Sequence, residues 1–247
     1  MERNIKELNI KLQEVTKLGW VKSLRKGDSG VGYTLEQLIG NQENKLPIGD
    51  YLGIEIKAKR IFKKSRISLF NAAPDGEYLF ETTRIRDTYG YPDSKGSNKK
   101  VFNVSIWANK RTNIGYKYSY KLKVDKDSRK IFFQAFNKLS NKIDNQTFWS
   151  FELLEEKINV KLKLLALVDA LYSKENDDEY FKYNNISFYR FKNFNTFVDL
   201  IEKGVIRVTF KLGVYRAGPR IGNTHDYGTS FDISEDDLPK LYDSLAL

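Results

Sequence analysis

The sequence contains no cysteine and a single histidine, His225. The first absence excludes a disulfide framework and any thiolate metal site. The second excludes a multi-histidine zinc centre and the double-histidine motif of a metalloprotease. Any metal held by this chain must therefore be held by oxygen. No apolar run is long enough to span a bilayer, and no basic amphipathic helix suits a membrane surface. The opening "MERNIKELNI" is too charged for the apolar core of a secretory signal. A cytoplasmic location without a membrane partner is the expectation. There is also no repeat period and no low-complexity linker.

What the sequence has in excess is positive charge. Lys and Arg number 42 against 32 Asp and Glu, a net charge of +10 over 247 residues, with a pI near 9.4. Such a chain attracts polyanions through a salt-sensitive field that carries no sequence information, and nucleic acid is the leading candidate. Apolar residues make up 40%, which suffices for one large domain or two lobes sharing a core.

Periodicity predicts a mixed α+β chain with long hairpins. Ile5, Leu8, Leu12 and Val15 recur at helical spacing over 2–18. Thr34 and Gln37 have capping-box spacing and Gly40 suits a stop, which predicts a short helix over 35–39. Strands are expected at 66–71 and 101–107, with the polar stretch "DTYGYPDSKGSNKK" between them as a surface loop. "YKYSYKLKVD" and "KIFFQAF" read as antiparallel partners around "DKDS". Further helices are expected over 150–161 and 195–203, the latter stopping at Gly204. The apolar run "KLLALVDALY" reads as a buried strand, and "VIRVTFKLGVYR" as another strand.

One short stretch raises a question of chemistry. In "LPIGDYLGIEIKAKR", residues 46–60, Glu55 and Lys57 share one face of a strand while Ile54 and Ile56 point to the other. Asp50 follows Gly49 near Pro47, where a turn can fold it back toward Glu55. Two carboxylates brought together repel unless a cation lies between them, and Mg²⁺ takes hard oxygen ligands while keeping waters. A water on such an ion is more acidic and can attack phosphorus, and a lysine beside it can orient that water or neutralise charge on the phosphate. The same pattern also fits an amphipathic edge strand with no chemistry.

Two basic constellations bear on nucleic acid. "WANKRTNIGYKYSYK", residues 107–121, interleaves Lys110, Arg111, Lys117 and Lys121 with aromatic residues, the ingredients of register-setting phosphate contacts. "GVYRAGPRIGNTHDYGTSF", residues 213–231, is a glycine-rich hairpin carrying Arg216, Arg220, His225 and Asp226. A two-stranded ribbon fits the major groove, where such side chains can read base edges. Before them, the glycines around Lys26 suit a flexible basic loop.

Together, "KGDSGVGYTLEQLIG", "GDYLGIEIK", "NKRTN" and "THDYGTSF" resemble the MvaI/BcnI family of Type II restriction endonucleases, relatives of MutH-like nickases in the PD-(D/E)XK superfamily. The resemblance runs over nearly the whole chain. It implies a restriction endonuclease-like mixed-sheet core with a second, DNA-recognition lobe, the catalytic part within about 1–140 and recognition within about 141–247, with room for the lobes to interleave. It implies a catalytic set of Asp50, Glu55 and Lys57 with Glu36 in support, and Mg²⁺, replaceable by Mn²⁺, on Asp50, Glu55 and the carbonyl of Ile56. Double-stranded DNA is the implied partner, cut at a short near-palindromic site by a monomer nicking each strand in turn. A DNA methyltransferase is implied as functional counterpart. A strand-nicking repair endonuclease and a non-catalytic DNA-binding protein are the alternatives.

The residues that would touch DNA on this reading are Lys26, Lys110, Arg111, Thr209, Lys211, Tyr215, Arg216, Arg220, His225, Asp226 and Asp232. Three depart from the family pattern. Thr209 and Lys211 stand where the pattern has an acid and an arginine, and Asp232 where it has an arginine. Thr209 can lay its methyl on thymine, so the expected target shifts toward A·T at its outer pairs, unless Asp232 reads cytosine from a new direction.

Overall fold

The computed structural model describes residues 2–40, 51–61, 66–76, 80–115 and 117–246. The chain divides into two units, the first made of 1–65, 158–192 and 238–247, the second of 66–157 and 193–237. It passes between them at 65/66, 157/158, 192/193 and 237/238. The units thus interleave in sequence, and the expected division near 140 coincides with none of these passages.

In the first unit the strand order is Trp20–Lys22, Asp178–Phe191, Leu164–Glu175, Glu55–Arg60, with Tyr242–Leu245 also on Asp178–Phe191. The expected buried strand is Leu164–Glu175, whose residues Leu164, Leu165, Ala166, Leu167 and Val168 are all buried. An unbroken apolar run is what a strand covered on both faces requires. Glu55–Arg60 pairs with it in parallel, Leu165 opposite Glu55 and Leu167 opposite Lys57. Helix Glu2–Lys17 lays Ile5, Leu8, Leu12 and Val15 into the core that Ile54 and Ile56 enter from the strand.

The second helix corrects an expectation. It runs Gly30–Leu38, not 35–39, because Val31, Thr34 and Leu35 form one buried face. Thr34 is therefore inside the helix, where its hydroxyl accepts the Leu24 N–H at 3.0 Å. The stretch around Lys26 is tied down as well. The Gly27 N–H donates to Glu179 at 3.0 Å and its carbonyl accepts from Arg60 at 3.2 Å.

The second unit is built on two sheets. One has the order Arg66–Asn71, Ser230–Ser234, Arg207–Val214, Lys100–Ile106, Tyr91–Pro92, with Thr224–Asp226 added to Arg207–Val214. The other has Phe148–Ser150, Lys130–Asn137, Tyr118–Asp125, Thr112–Ile114, with Ile143–Asp144 added. Aromatic side chains join the two. Phe102 packs on Tyr120 at 5.3 Å and on Phe210 at 5.5 Å, and Trp149 lies 5.9 Å from Phe210 and 5.7 Å from Phe231 between ring centres.

Helix Phe194–Glu202 begins at Asn193, whose side chain accepts the Thr196 N–H at 2.9 Å. It is followed by Gly204 at φ +72°, where a Cβ would fall 2.2 Å from Asn109. Helix Glu81–Tyr89 was not anticipated, and it runs into the stretch expected to be a surface loop. That stretch is anchored, since Asp93 within it is buried. No helix among the described residues is long and apolar enough to cross a membrane.

Trp149 is fully buried and its indole N–H donates to the Ala72 carbonyl at 3.0 Å. Trp149→Ala is expected to destabilise the protein by about 3–5 kcal/mol through the cavity and the orphaned carbonyl. Equilibrium denaturation in urea measures it, and an unchanged midpoint would remove Trp149 from the core argument.

Candidate active site and nucleic-acid-facing residues

Alternation along Glu55–Arg60 does what the sequence predicts. Ile54 and Ile56 enter the core, and Glu55 and Lys57 emerge together on the opposite face. The Lys57 ammonium donates to Glu55 Oε1 at 2.6 Å. A second lysine, Lys161 at the end of helix Phe151–Lys161, donates to Glu55 Oε2 at 3.2 Å. Each oxygen of the carboxylate is thus met by its own cation. The Glu55 side chain is only 6% exposed, against 33% for Lys57 and 24% for Lys161. Burial, with the Glu55 charge adding to it, pushes the nearby Tyr242 phenol well above its ordinary range, so it stays a neutral wall of the site.

Lys161 was not among the expected site residues. It was legible only as the last residue of an expected helix, 106 positions from Glu55. Glu36 lies half-buried in helix Gly30–Leu38, which packs against Glu55–Arg60. The Ile56 side chain is in the core. Asp50 lies outside the described residues, and among these no three acidic or histidine side chains converge as a metal cluster. The donor chemistry that is present, a buried carboxylate whose charge is balanced by displaceable ammonium groups, fits a hard divalent cation.

In the second unit the expected DNA-facing residues fall into three groups. Lys110 and Arg111 are exposed and mounted on aromatic rings, Lys110 at 4.2 Å from the Trp107 ring and Arg111 at 4.0 Å from that of Phe136. Strand Thr224–Asp226 pairs with Arg207–Val214 to form the expected ribbon. In it, His225 is not a lone loop residue: its ring lies 4.0 Å from both Tyr215 and Tyr227, stacked on the first and edge-on to the second. Arg220 reaches the Tyr215 hydroxyl at 3.3 Å, and Asp226 is exposed while accepting the Gly228 N–H.

Arg216 is placed differently from the expectation of a base reader. Its two terminal nitrogens each donate to Asp93 at 2.7 Å, so its fork is engaged in fastening the ribbon. Thr209 and Asp232 meet across neighbouring strands, Thr209 donating to Asp232 at 2.6 Å. Lys211 lies half-buried on the same strand face, opposite Asn103. In the first unit Lys26 is exposed.

A family model described as the MvaI/BcnI restriction endonuclease family matches residues 9–242. No curated protein matches. Among solved structures, one titled restriction endonuclease MvaI–cognate DNA substrate complex is 31% identical, with 99% of this chain and 98% of that chain covered at a TM-score of 0.93. Another, restriction endonuclease MvaI in the absence of DNA, is 29% identical over the same shares at a TM-score of 0.63.

The Asp93 contact has a pH signature. Hydrogen bonds from Arg216, then Ser97, hold the Asp93 carboxyl well below the usual carboxylate range. A carboxyl depressed on folding contributes fully above its unfolded value of about 4, and the contribution is lost as pH falls through the depressed folded value. Amide protection of residues 213–227 is therefore expected to be constant between about pH 5 and 7 and to drop in Asp93→Asn throughout that window. Equal protection in the variant would show that this ion pair does not fasten the ribbon.

Proposed function

The chain belongs to the MvaI/BcnI restriction endonuclease family and is a Type II site-specific deoxyribonuclease, and from that premise we propose that it hydrolyses duplex DNA with Mg²⁺ at Glu55, Asp50 and the Ile56 carbonyl. The observation that carries this reading is the buried Glu55 carboxylate bracketed by Lys57 and Lys161. Mn²⁺ has the same ligand preference and can substitute. We place catalysis in the first unit and sequence reading in the second.

When bound, Mg²⁺ supplies charge stabilisation at the phosphate and a more acidic water. The chain supplies the rest. Glu55 gives a fixed, desolvated anion that draws the cation to one place. Its burial beside the neutral Tyr242 keeps that charge undiluted by bulk water. Lys57, released from Glu55 Oε1, orients the attacking water or stabilises charge on the phosphate oxygens. Lys161, released from Oε2, adds a second positive group toward the same phosphate. Water attacks phosphorus and gives up a proton to solvent, the bond to the 3′ oxygen breaks, and that oxygen takes up a proton from solvent, leaving a 5′-phosphate and a 3′-hydroxyl. Glu36 supports the site from the adjoining helix.

The protein acts as a monomer that nicks each strand of a near-palindromic site, with a DNA methyltransferase protecting that site in the host. The cytoplasm, where such DNA lies, is its place of action. His225, Asp226, Tyr215, Arg220, Lys211 and Lys26 contact the duplex, while Lys110 and Arg111 grip phosphates.

Incubation with plasmid and phage DNA, with and without Mg²⁺, is expected to give discrete fragments only with the metal. A smear or uncut DNA across many substrates would refute site-specific cleavage. Glu55→Gln and Asp50→Ala are expected to abolish cutting while duplex binding persists or tightens, and Lys57→Ala to slow it by about 100-fold or more. Near wild-type cutting by Glu55→Gln would place the site elsewhere.

Lys110→Ala should weaken binding to all sequences and flatten the slope of log affinity against log salt by about 0.9, the value for one phosphate. A change in the sequence cut would mean that Lys110 reads bases.

A further inference from the structure

Strand Arg207–Val214 turns Val208, Phe210 and Leu212 into the aromatic core and leaves Arg207, Thr209 and Lys211 on the other face. That face is polar on both sides of the strand. Thr209 lies opposite Ser105 and Ser230, Lys211 opposite Asn103, and Arg207 opposite Asp232.

A directional chain of hydrogen bonds crosses it. Thr209 has one hydroxyl proton, and Asp232 Oδ2 at 2.6 Å is the stronger acceptor for it. Ser105, 3.0 Å away, then donates to Thr209. The chain ends on Asp232, a buried carboxylate that also meets the Nε of Arg207 at 3.5 Å. The Arg207 guanidinium lies 5.4 Å from the ring of Trp107. It is thus fixed at its root by a carboxylate and placed over an indole. Its two terminal nitrogens make no hydrogen bond among the described residues. Arg66, the neighbouring arginine, is by contrast engaged with the carbonyls of Val205 at 2.7 Å and Asp232 at 2.9 Å.

We infer that Arg207 is a specificity-determining residue that reads a guanine with its terminal fork, positioned by Asp232, which Thr209 in turn holds in place. The inference rests on the reading of this chain as a sequence-specific DNA enzyme. Guanine N7 and O6 are the paired acceptors in the major groove that match such a fork, and an arginine held in place beforehand loses little freedom on binding them. The single Thr209 proton, given to Asp232, is spent on positioning. A G·C pair, not A·T, is then read from this strand, which reverses the expectation drawn from Thr209 alone.

The test is selection of duplexes from a randomised pool by the full-length protein, with Ca²⁺ in place of Mg²⁺ so that DNA is bound and recovered whether or not the protein cuts. Wild type is expected to select a site containing G·C pairs. Arg207→Ala should lose preference at one of these by about 5- to 150-fold, the worth of a bidentate contact, and to keep it at the others. Thr209→Val should lose preference at the same position and Thr209→Ser should retain it.

The opposite order at Thr209 would mean that its methyl reads thymine and would overturn the inference. So would an Arg207→Ala variant weakened equally on all sequences, which is a phosphate contact, or a wild type that selects nothing. Discrete binding without cleavage in Mg²⁺ would instead refute the nuclease reading and leave the Arg207 assignment standing.

Discussion

A carboxylate removed from water has to be met by a cation or by several donors, because an unpaired buried charge costs several kcal/mol even after the protein relaxes. Four acids are buried among the described residues, Glu55, Glu81, Asp93 and Asp232, and a lysine or arginine lies beside each. The candidate site, the fastening of the ribbon and the polar sheet face are three local answers to that constraint. In a chain with ten more basic than acidic groups, cations are abundant, and the acids decide where they are held.

The four buried acids differ in whether their pairing is closed. Glu81 meets Arg84 at 3.4 Å and accepts from Thr147 at 2.6 Å, while Arg84 also binds Asp144 at 2.8 Å and Thr147, so the donors answer one another within the protein. Asp93 and Arg216 match oxygen to nitrogen twice. Such pairs hold the fold, since the facing donors and acceptors are already matched to one another. Glu55 is different. Its two oxygens are held by two separate ammonium groups on flexible stems, the arrangement that the proposed divalent cation would displace. Asp232 is different in the other direction, because it engages only the root of Arg207, whose fork makes no hydrogen bond among the described residues. Openness, more than burial, separates the pairs with chemical potential from those that hold the fold.

This distinction explains what could be read from the sequence. Residues two apart on a strand share a face whatever the rest of the chain does, so Glu55 beside Lys57 was legible, as were the strand Arg66–Asn71 and the buried Leu164–Glu175. Lys161 was not, because nothing local links it to Glu55. Asp93 was hidden for the same reason: a glycine-bearing polar stretch reads as a surface loop until Arg216, 123 positions away, is known to reach it. Thr34 shows a different failure. Its spacing to Gln37 is that of a cap, but burial of Val31 and Leu35 extends the helix past it, and tertiary packing outweighs a local signal worth about 1 kcal/mol. The interleaving of the two units is likewise beyond local pattern, since a chain that leaves a sheet and returns carries no mark of the return.

Surface cations likewise differ in how they are held. Lys22 with Asp178, Lys126 with Asp199 and Glu202, and Arg129 with Glu152 and Glu155 are exposed ion pairs. Pairs of this kind stabilise little, about 0–1 kcal/mol each, and they subtract their cations from the field that a polyanion meets. Lys110 and Arg111 are held instead by the rings of Trp107 and Phe136. A ring face orients a cation without neutralising it, so both charge and donors remain available to a phosphate. Arg207 combines the two mounts, with the ring of Trp107 beside its guanidinium and a carboxylate at its root. The carboxylate removes part of its net attraction for any phosphate and fixes the direction of its fork. A cation mounted on a ring alone suits indiscriminate grip, and one mounted on an acid suits a directional acceptor.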